Sequence, residues 1–278
     1  MAKEFDTLIS ASELQLLLTA GKVVVLDCTY YLNDFDKGRR EYLQHHIPGA
    51  YFMDIGHDLS APVIKGVTGR HPIPDPEVLT FAFRACGINN DSQLVAYDQM
   101  NGVYASRAWW LLNWLGHKKV AILNGGFEAW KAAGYENDNQ WPPPQKGNLI
   151  GHVRNDLTVV KEEIANSKNT IVDSREYKRY TGEVEPIDPI AGHIPGAVCI
   201  PYLDNVDEKG FWKSKEYLIE KFKSLSASPS TPPVFYCGSG VTACHNIFAY
   251  KMATGLDAKL YAGSWSEWIN YYPVEVST

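Results

Sequence analysis

Pro233-Val-Phe-Tyr-Cys237-Gly-Ser-Gly-Val-Thr242-Ala-Cys-His245 is the stretch from which the rest of this 278-residue chain can be read. Its first residues are short and apolar and follow a proline, as expected of a buried strand. They deliver one cysteine into a short glycine-rich loop, and the residues from about Thr242 onward suit a helix. A thiol placed there faces a ring of free backbone N–H groups and the positive end of a helix dipole. Both favour an anion, either a thiolate or something carried on its sulfur. A buried cysteine can also be a plain core residue. Gly238 and Gly240 argue against that reading, because two glycines so close together raise the backbone entropy lost on folding without adding any packing.

Working outward, the chain proves to be written twice. His46-Ile-Pro-Gly-Ala50 returns as His193-Ile-Pro-Gly-Ala197, and Val24-Val-Leu-Asp27 as Thr170-Ile-Val-Asp173. Leu94-Val-Ala-Tyr-Asp98 matches Pro233–Cys237, and Leu123-Asn-Gly-Gly-Phe-Glu-Ala-Trp130 matches Tyr261-Ala-Gly-Ser-Trp-Ser-Glu-Trp268. The order is the same in both halves, which indicates a duplicated domain. In the first half, Ser10-Ala-Ser-Glu13 is a capping box that predicts a helix start. Val23–Leu26 and Val120–Leu123 read as strands, and Val103–Leu115 and Phe127–Ala133 as helices. The second half repeats this with strands at Ile171-Val172, Val198–Ile200, Val234–Tyr236 and Lys259–Tyr261, and a helix over Val241–Thr254. Such alternation predicts an α/β fold: two domains, each a mainly parallel sheet flanked by helices on both faces. Ligands of such sheets bind beyond the carboxyl ends of strands, where Cys237 sits. The proline-rich 141–149 segment reads as a stiff linker between domains over 1–140 and 150–278.

Bulk composition narrows the function. Apolar residues make up 45% and charged residues 21%, as in ordinary globular proteins. The net charge of −6 gives a nucleic-acid partner no support. No apolar run is long enough to span a bilayer, and the N-terminus lacks a signal-peptide core, so no membrane partner is expected. Five scattered cysteines suit free thiols in a reducing, cytoplasmic setting.

The two halves differ at one decisive place. Asp98 stands where the second half has Cys237, so one active site is expected, with the first half supplying a wall of its cleft. Three other chemistries compete for the cysteine. A tyrosine phosphatase needs an arginine six residues on, and Ala243 stands there. A zinc site from Cys237, Cys244 and His245 has no common spacing and would lie partly inside a helix. A cysteine hydrolase needs a histidine base that no local pattern supplies. The Cys237–Thr242 loop is small, better fitted to a sulfur on the thiol than to a phosphate. A persulfide, anionic near neutral pH, can accept several N–H bonds there.

On these motifs the whole chain resembles the tandem-domain rhodaneses, that is, thiosulfate and 3-mercaptopyruvate sulfurtransferases. The Cys237-Gly-Ser-Gly-Val-Thr-Ala form is closest to the mercaptopyruvate group, since thiosulfate-preferring relatives usually carry Arg and Lys after the cysteine. The resemblance implies transfer of a sulfane sulfur from a small-molecule donor through a Cys237 persulfide to cyanide, a small thiol or thioredoxin. A main thiosulfate:cyanide activity, or a non-catalytic persulfide carrier, are the alternatives. It implies Ser239 beside Cys237 in catalysis and Gly238, Gly240, Val241 and Thr242 as the persulfide loop. Arg179 would grip the donor carboxylate, and His71 of Thr68-Gly-Arg-His-Pro72 would reach the cleft. Arg175 would hold the fold, and His46 and His193 would orient loops. No metal or organic cofactor is implied. The chain departs from the family pattern at Ile187, where a second carboxylate-binding arginine often stands. It departs again at Gly56, usually acidic, although Asp58 is near.

Overall fold

The apolar runs do become strands, and every ladder is parallel. The computed structural model describes residues 3–225 and 230–276, so the outermost ends of both expected domains lie outside it. Two compact units emerge. One comprises the chain up to Ala61, Pro74–Arg154 and Glu208–Trp212; the other comprises Pro62–Ile73, Asn155–Asp207 and the chain from Lys213 on.

The first unit carries β1 (Leu8–Ile9), β2 (Val24–Asp27), β3 (Tyr51–Phe52), β4 (Leu94–Tyr97) and β5 (Val120–Leu123), in the order β1-β5-β4-β2-β3. The second carries β6 (Ile171–Asp173), β7 (Val198–Cys199), β8 (Val234–Tyr236) and β9 (Lys259–Leu260), in the order β7-β6-β8-β9. Register makes the units superimposable by sequence: Asp27 lies beside Tyr97, and Asp173 beside Tyr236. The central strands β4 and β8 are buried at every residue, which their unbroken apolar character allows only between helices on both faces. Helices Val103–Trp114 and Thr242–Thr254 follow these strands and are themselves buried nearly all round.

The expected elements appear with shifted ends. The strand read over Val198–Ile200 keeps two residues, and the helix read over Phe127–Ala133 is Gly126–Ala132. The Ser10 capping box forms with both reciprocal bonds, ahead of helix Ala11–Thr19. The proline-rich segment does not hang free. Gln145 and Gly147 donate to Ala85 and Arg84, and Leu149 to Ile88, so it lies along the first unit. Among the described residues no helix is long and apolar enough to cross a membrane.

Both His-Ile-Pro-Gly-Ala boxes do the same structural work. His46 stacks on Tyr42 and bonds the Tyr42 carbonyl at 2.6 Å; His193 stacks on Tyr180 and bonds the Tyr180 carbonyl at 2.8 Å. The next residue's N–H, of Ile47 or Ile194, donates to the hydroxyl of Tyr97 or Tyr236 at 3.1 Å. Each box therefore ties its loop to the end of the central strand.

Candidate active site

Beyond the end of β8 the chain turns through Cys237–Val241 before the helix begins at Thr242. Gly240 has φ +77°, a backbone conformation that side chains with a Cβ rarely adopt. This turn brings the Gly240 N–H onto the Cys237 sulfur at 3.1 Å. Among the described residues no hydrogen bond engages the N–H groups of Ser239, Val241 or Ala243. Cys237 is 2% exposed, so its sulfur lies in a nearly dry site in the same loop as these donors. Unpaired donors at a helix start make an anion site whose occupant the protein itself does not supply.

The loop is held from below by the turn that opens helix Ser264–Trp268. Ser264 Oγ accepts from the Cys237 N–H at 3.1 Å, and the Trp265 and Ser266 N–H groups donate to the Cys237 and Gly238 carbonyls. Ser264 itself sits at φ +53°, rare for a residue with a Cβ, and its hydroxyl donates to the Tyr261 carbonyl at 2.9 Å. The sequence gives no hint of this role, because Gly126 holds the matching place in the first unit. Cys244 and His245 lie inside the helix, as read. The Cys244 thiol points at the Gly240 carbonyl and His245 pairs with Asn205.

Three of the charged or polar residues singled out in the sequence converge on this loop within the second unit. Ser239 Oγ and His71 Nδ1 share a hydrogen bond of 2.8 Å, and both side chains are buried. Arg179 lies beside Gly238: a Cβ built on that glycine would stand 3.5 and 3.6 Å from its two terminal nitrogens. Arg179 is fixed by Glu185 at 2.7 Å and Asp188 at 3.2 Å. Arg175 is buried in an ion pair with Asp173 at 2.6 Å, donates to the Gly192 carbonyl and stacks on Trp265. Its guanidinium is held even more firmly charged than usual; burial alone would push it down, but Asp173 more than offsets that.

Arg70 is the residue that sequence reading passed over. Its Nη1 pairs with Asp188, and its Nη2 would be 2.7 Å from a Cβ on Gly238. Burial pushes its guanidinium below its ordinary value, and the nearby Cys237 opposes that shift. Asp188 thus clamps two arginines at once. Ile187, next to it, is a half-exposed hydrocarbon that adds no charge. Asp54 and Asp58 belong to the first unit, where the Asp54 N–H donates to Asp58 and the Gly56 N–H caps onto Asp54.

The first unit closes the equivalent loop differently. Asp98, fully buried, accepts the N–H groups of Met100, Gly102, Tyr104 and Ala105 at 2.7–2.9 Å. Asn101, at φ +62°, makes the turn that Gly240 makes in the second unit.

Comparison with known proteins agrees with this duplicated plan. The Rhodanese-like domain profile matches twice, over residues 10–133 and 156–271. A probable 3-mercaptopyruvate sulfurtransferase of Pseudomonas aeruginosa is 46% identical over 268 residues, 94% of each chain. A putative thiosulfate sulfurtransferase of Mycobacterium tuberculosis is 37% identical over 95% of this chain and 94% of its own. The 3-mercaptopyruvate sulfotransferase SseA of Escherichia coli superposes with a TM-score of 0.81 at 30% identity, over 96% of this chain and 100% of that one. With both domains matched and relatives aligned over 94% or more of its length, the chain belongs to the rhodanese family, as a tandem pair of rhodanese-like domains.

Proposed function

We propose that this chain is a sulfurtransferase that carries sulfane sulfur on Cys237. The Cys237 thiolate attacks the thiol sulfur of 3-mercaptopyruvate or the outer sulfur of thiosulfate. A sulfur–sulfur bond forms on Cys237, and the bond joining that sulfur to the rest of the donor breaks. The electron pair leaves with the pyruvate enolate or with sulfite. An acceptor nucleophile, cyanide, a small thiol or a reduced thioredoxin, then attacks the outer sulfur and returns the thiolate.

The observation that carries this reading is a buried sulfur bonded to the Gly240 N–H, in a loop whose Ser239, Val241 and Ala243 N–H groups have no acceptor among the described residues. The donors of Ser239, Val241 and Ala243, with the helix start at Thr242, would take up the negative outer sulfur of a persulfide. The roles of Gly238 and Gly240 follow from space and backbone shape. Ser239, bonded to His71, is placed to hydrogen-bond the donor carbonyl and to pass the donor's thiol proton to the departing enolate. Arg179 is the carboxylate grip. The first domain, with Asp98 in the cysteine's place, carries no thiol at its loop. Free thiols at all five cysteines fit a cytoplasmic, reducing setting.

Steady-state turnover tests the reading. With 3-mercaptopyruvate and a thiol or cyanide acceptor, continuous pyruvate release is expected, and Cys237→Ala should show only background. A protein that releases one equivalent and stops is a carrier, and turnover that persists in Cys237→Ala overturns the assignment.

A further inference from the structure

The first unit holds a cavity of about 710 Å³ whose lining belongs to that unit alone. It is lined by the edge strand β3, by helix Pro76–Ala85 and by the proline-rich 141–144 segment. The Tyr51 hydroxyl donates to the Pro143 carbonyl at 3.1 Å and so ties that segment to the strand. Small-molecule sites typically measure roughly 300–1,000 Å³ and are mostly apolar, with a few polar groups that fix orientation. This cavity has that size and that make-up.

Large apolar side chains around it stay open. Phe81 is 74% exposed and Trp141 48%, and Phe35 and Val78 are exposed beside them. Apolar surface gathered around one cavity marks a place that a ligand covers. Charge says which kind. Asp36, Asp54 and Asp58 line the cavity against a single guanidinium, that of Arg39, while His57 is tied to Asp58 at 2.9 Å. Asp54 is half-buried, and the two bonds its side chain accepts, from the Gly56 and His57 N–H groups, both land on Oδ1. Its Oδ2 accepts no hydrogen bond among the described residues. Burial pushes this carboxyl above its ordinary value, and neighbouring Asp58 adds to the rise. A cation at Oδ2 would reverse that shift.

The aromatic wall favours a cation as well. The Arg39 guanidinium lies over the Trp141 ring at 5.5 Å, so that ring already takes a positive charge on its face. We propose that this cavity binds a small organic cation, with its ammonium head on Asp54 and its apolar body against Trp141 and Phe81. The site is independent of the sulfur chemistry read above. An anion would meet the carboxylates of Asp36 and Asp54, and a neutral ligand would leave Asp54 uncompensated. Arg39, exposed on helix Lys37–Tyr42, is the protein's own competitor for the Trp141 face.

The test measures binding of three probes of one shape to the full chain: phenethylamine, 2-phenylethanol and 3-phenylpropionate, which are cationic, neutral and anionic. The amine should bind about tenfold or more tightly than the alcohol, as for a charged hydrogen bond, and the carboxylate most weakly. Asp54→Asn keeps an acceptor for the Gly56 and His57 N–H groups and removes only the charge. It should bring the amine to within about threefold of the alcohol. Trp141→Ala should weaken the amine and the alcohol together, and Arg39→Ala should tighten the amine about twofold or more. Equal binding of the three probes, tightest binding of the carboxylate, or no binding of the amine would each overturn the site. So would an amine preference that survives Asp54→Asn, amine binding unchanged in Trp141→Ala, or amine binding weakened in Arg39→Ala. Sedimentation of wild type and Trp141→Ala is run alongside: a dimer that Trp141→Ala dissociates would assign the cavity to a second copy of the chain and overturn the ligand site.

Discussion

Asp98 and Cys237 occupy the same turn of the same fold, each at the end of a buried central strand and just ahead of a buried helix. In the first unit the protein fills the ring of N–H donors with its own carboxylate, which takes four of them. In the second, one donor rests on the sulfur and its neighbours are left without an acceptor. Asp98 is thus more than a missing cysteine. It is the anion that such a loop needs, supplied permanently. The contrast suggests what the second loop is built to receive, namely an anion that comes and goes.

A second contrast lies beneath the loops. The buried Asp173 is met by Arg175, while its counterpart Asp27 has Thr29 in that place. The Asp27 carboxylate accepts from the Tyr97 hydroxyl at 2.5 Å and the Thr29 N–H at 2.8 Å. Burial outweighs these bonds and pushes its carboxyl up to about 6. The two units therefore store different electrostatics in one frame.

The largest expected effect on stability comes from emptying the filled loop. Asp98→Ala leaves four N–H groups without an acceptor and should destabilise the first unit by about 3 kcal/mol or more. Cys237→Ala removes the acceptor of one N–H and should cost about 1 kcal/mol. Urea unfolding of the two variants checks this, and equal losses would break the comparison.

The smaller effect is a pH dependence. Asp27 binds its proton more tightly folded than unfolded, so its favourable contribution is complete below about pH 4 and is lost as pH rises through about 6. That amounts to about 3 kcal/mol at most, from the size of the shift. Unfolding free energies from pH 4 to 7 should fall more steeply in wild type than in Asp27→Asn; parallel curves would remove this distinction between the units.

Local signals made much of this legible. Duplicated boxes, the Ser10-to-Glu13 cap and the apolar runs of β2, β4, β5 and β8 are written within a few residues of themselves. Strand β1 was not legible, because Leu8 and Ile9 become a strand only by pairing with Ile122 and Leu123. The site was half legible. Cys237, Ser239 and the glycines declare themselves by order in the loop, whereas Arg70 gains meaning only from Asp188, 118 residues away. Ser264 was hidden for a different reason: its left-handed backbone is normally glycine's, as at Gly126 in the first unit.

The central claim is that one loop, left open, holds a transferable sulfur on one cysteine. Mass spectrometry of peptides from the protein incubated with 3-mercaptopyruvate or thiosulfate, without acceptor, addresses it directly. One added sulfur atom is expected on the Cys237 peptide, removed by cyanide, with Cys28, Cys86, Cys199 and Cys244 unmodified. Sulfur on another cysteine instead, or on none with either donor, would contradict the account.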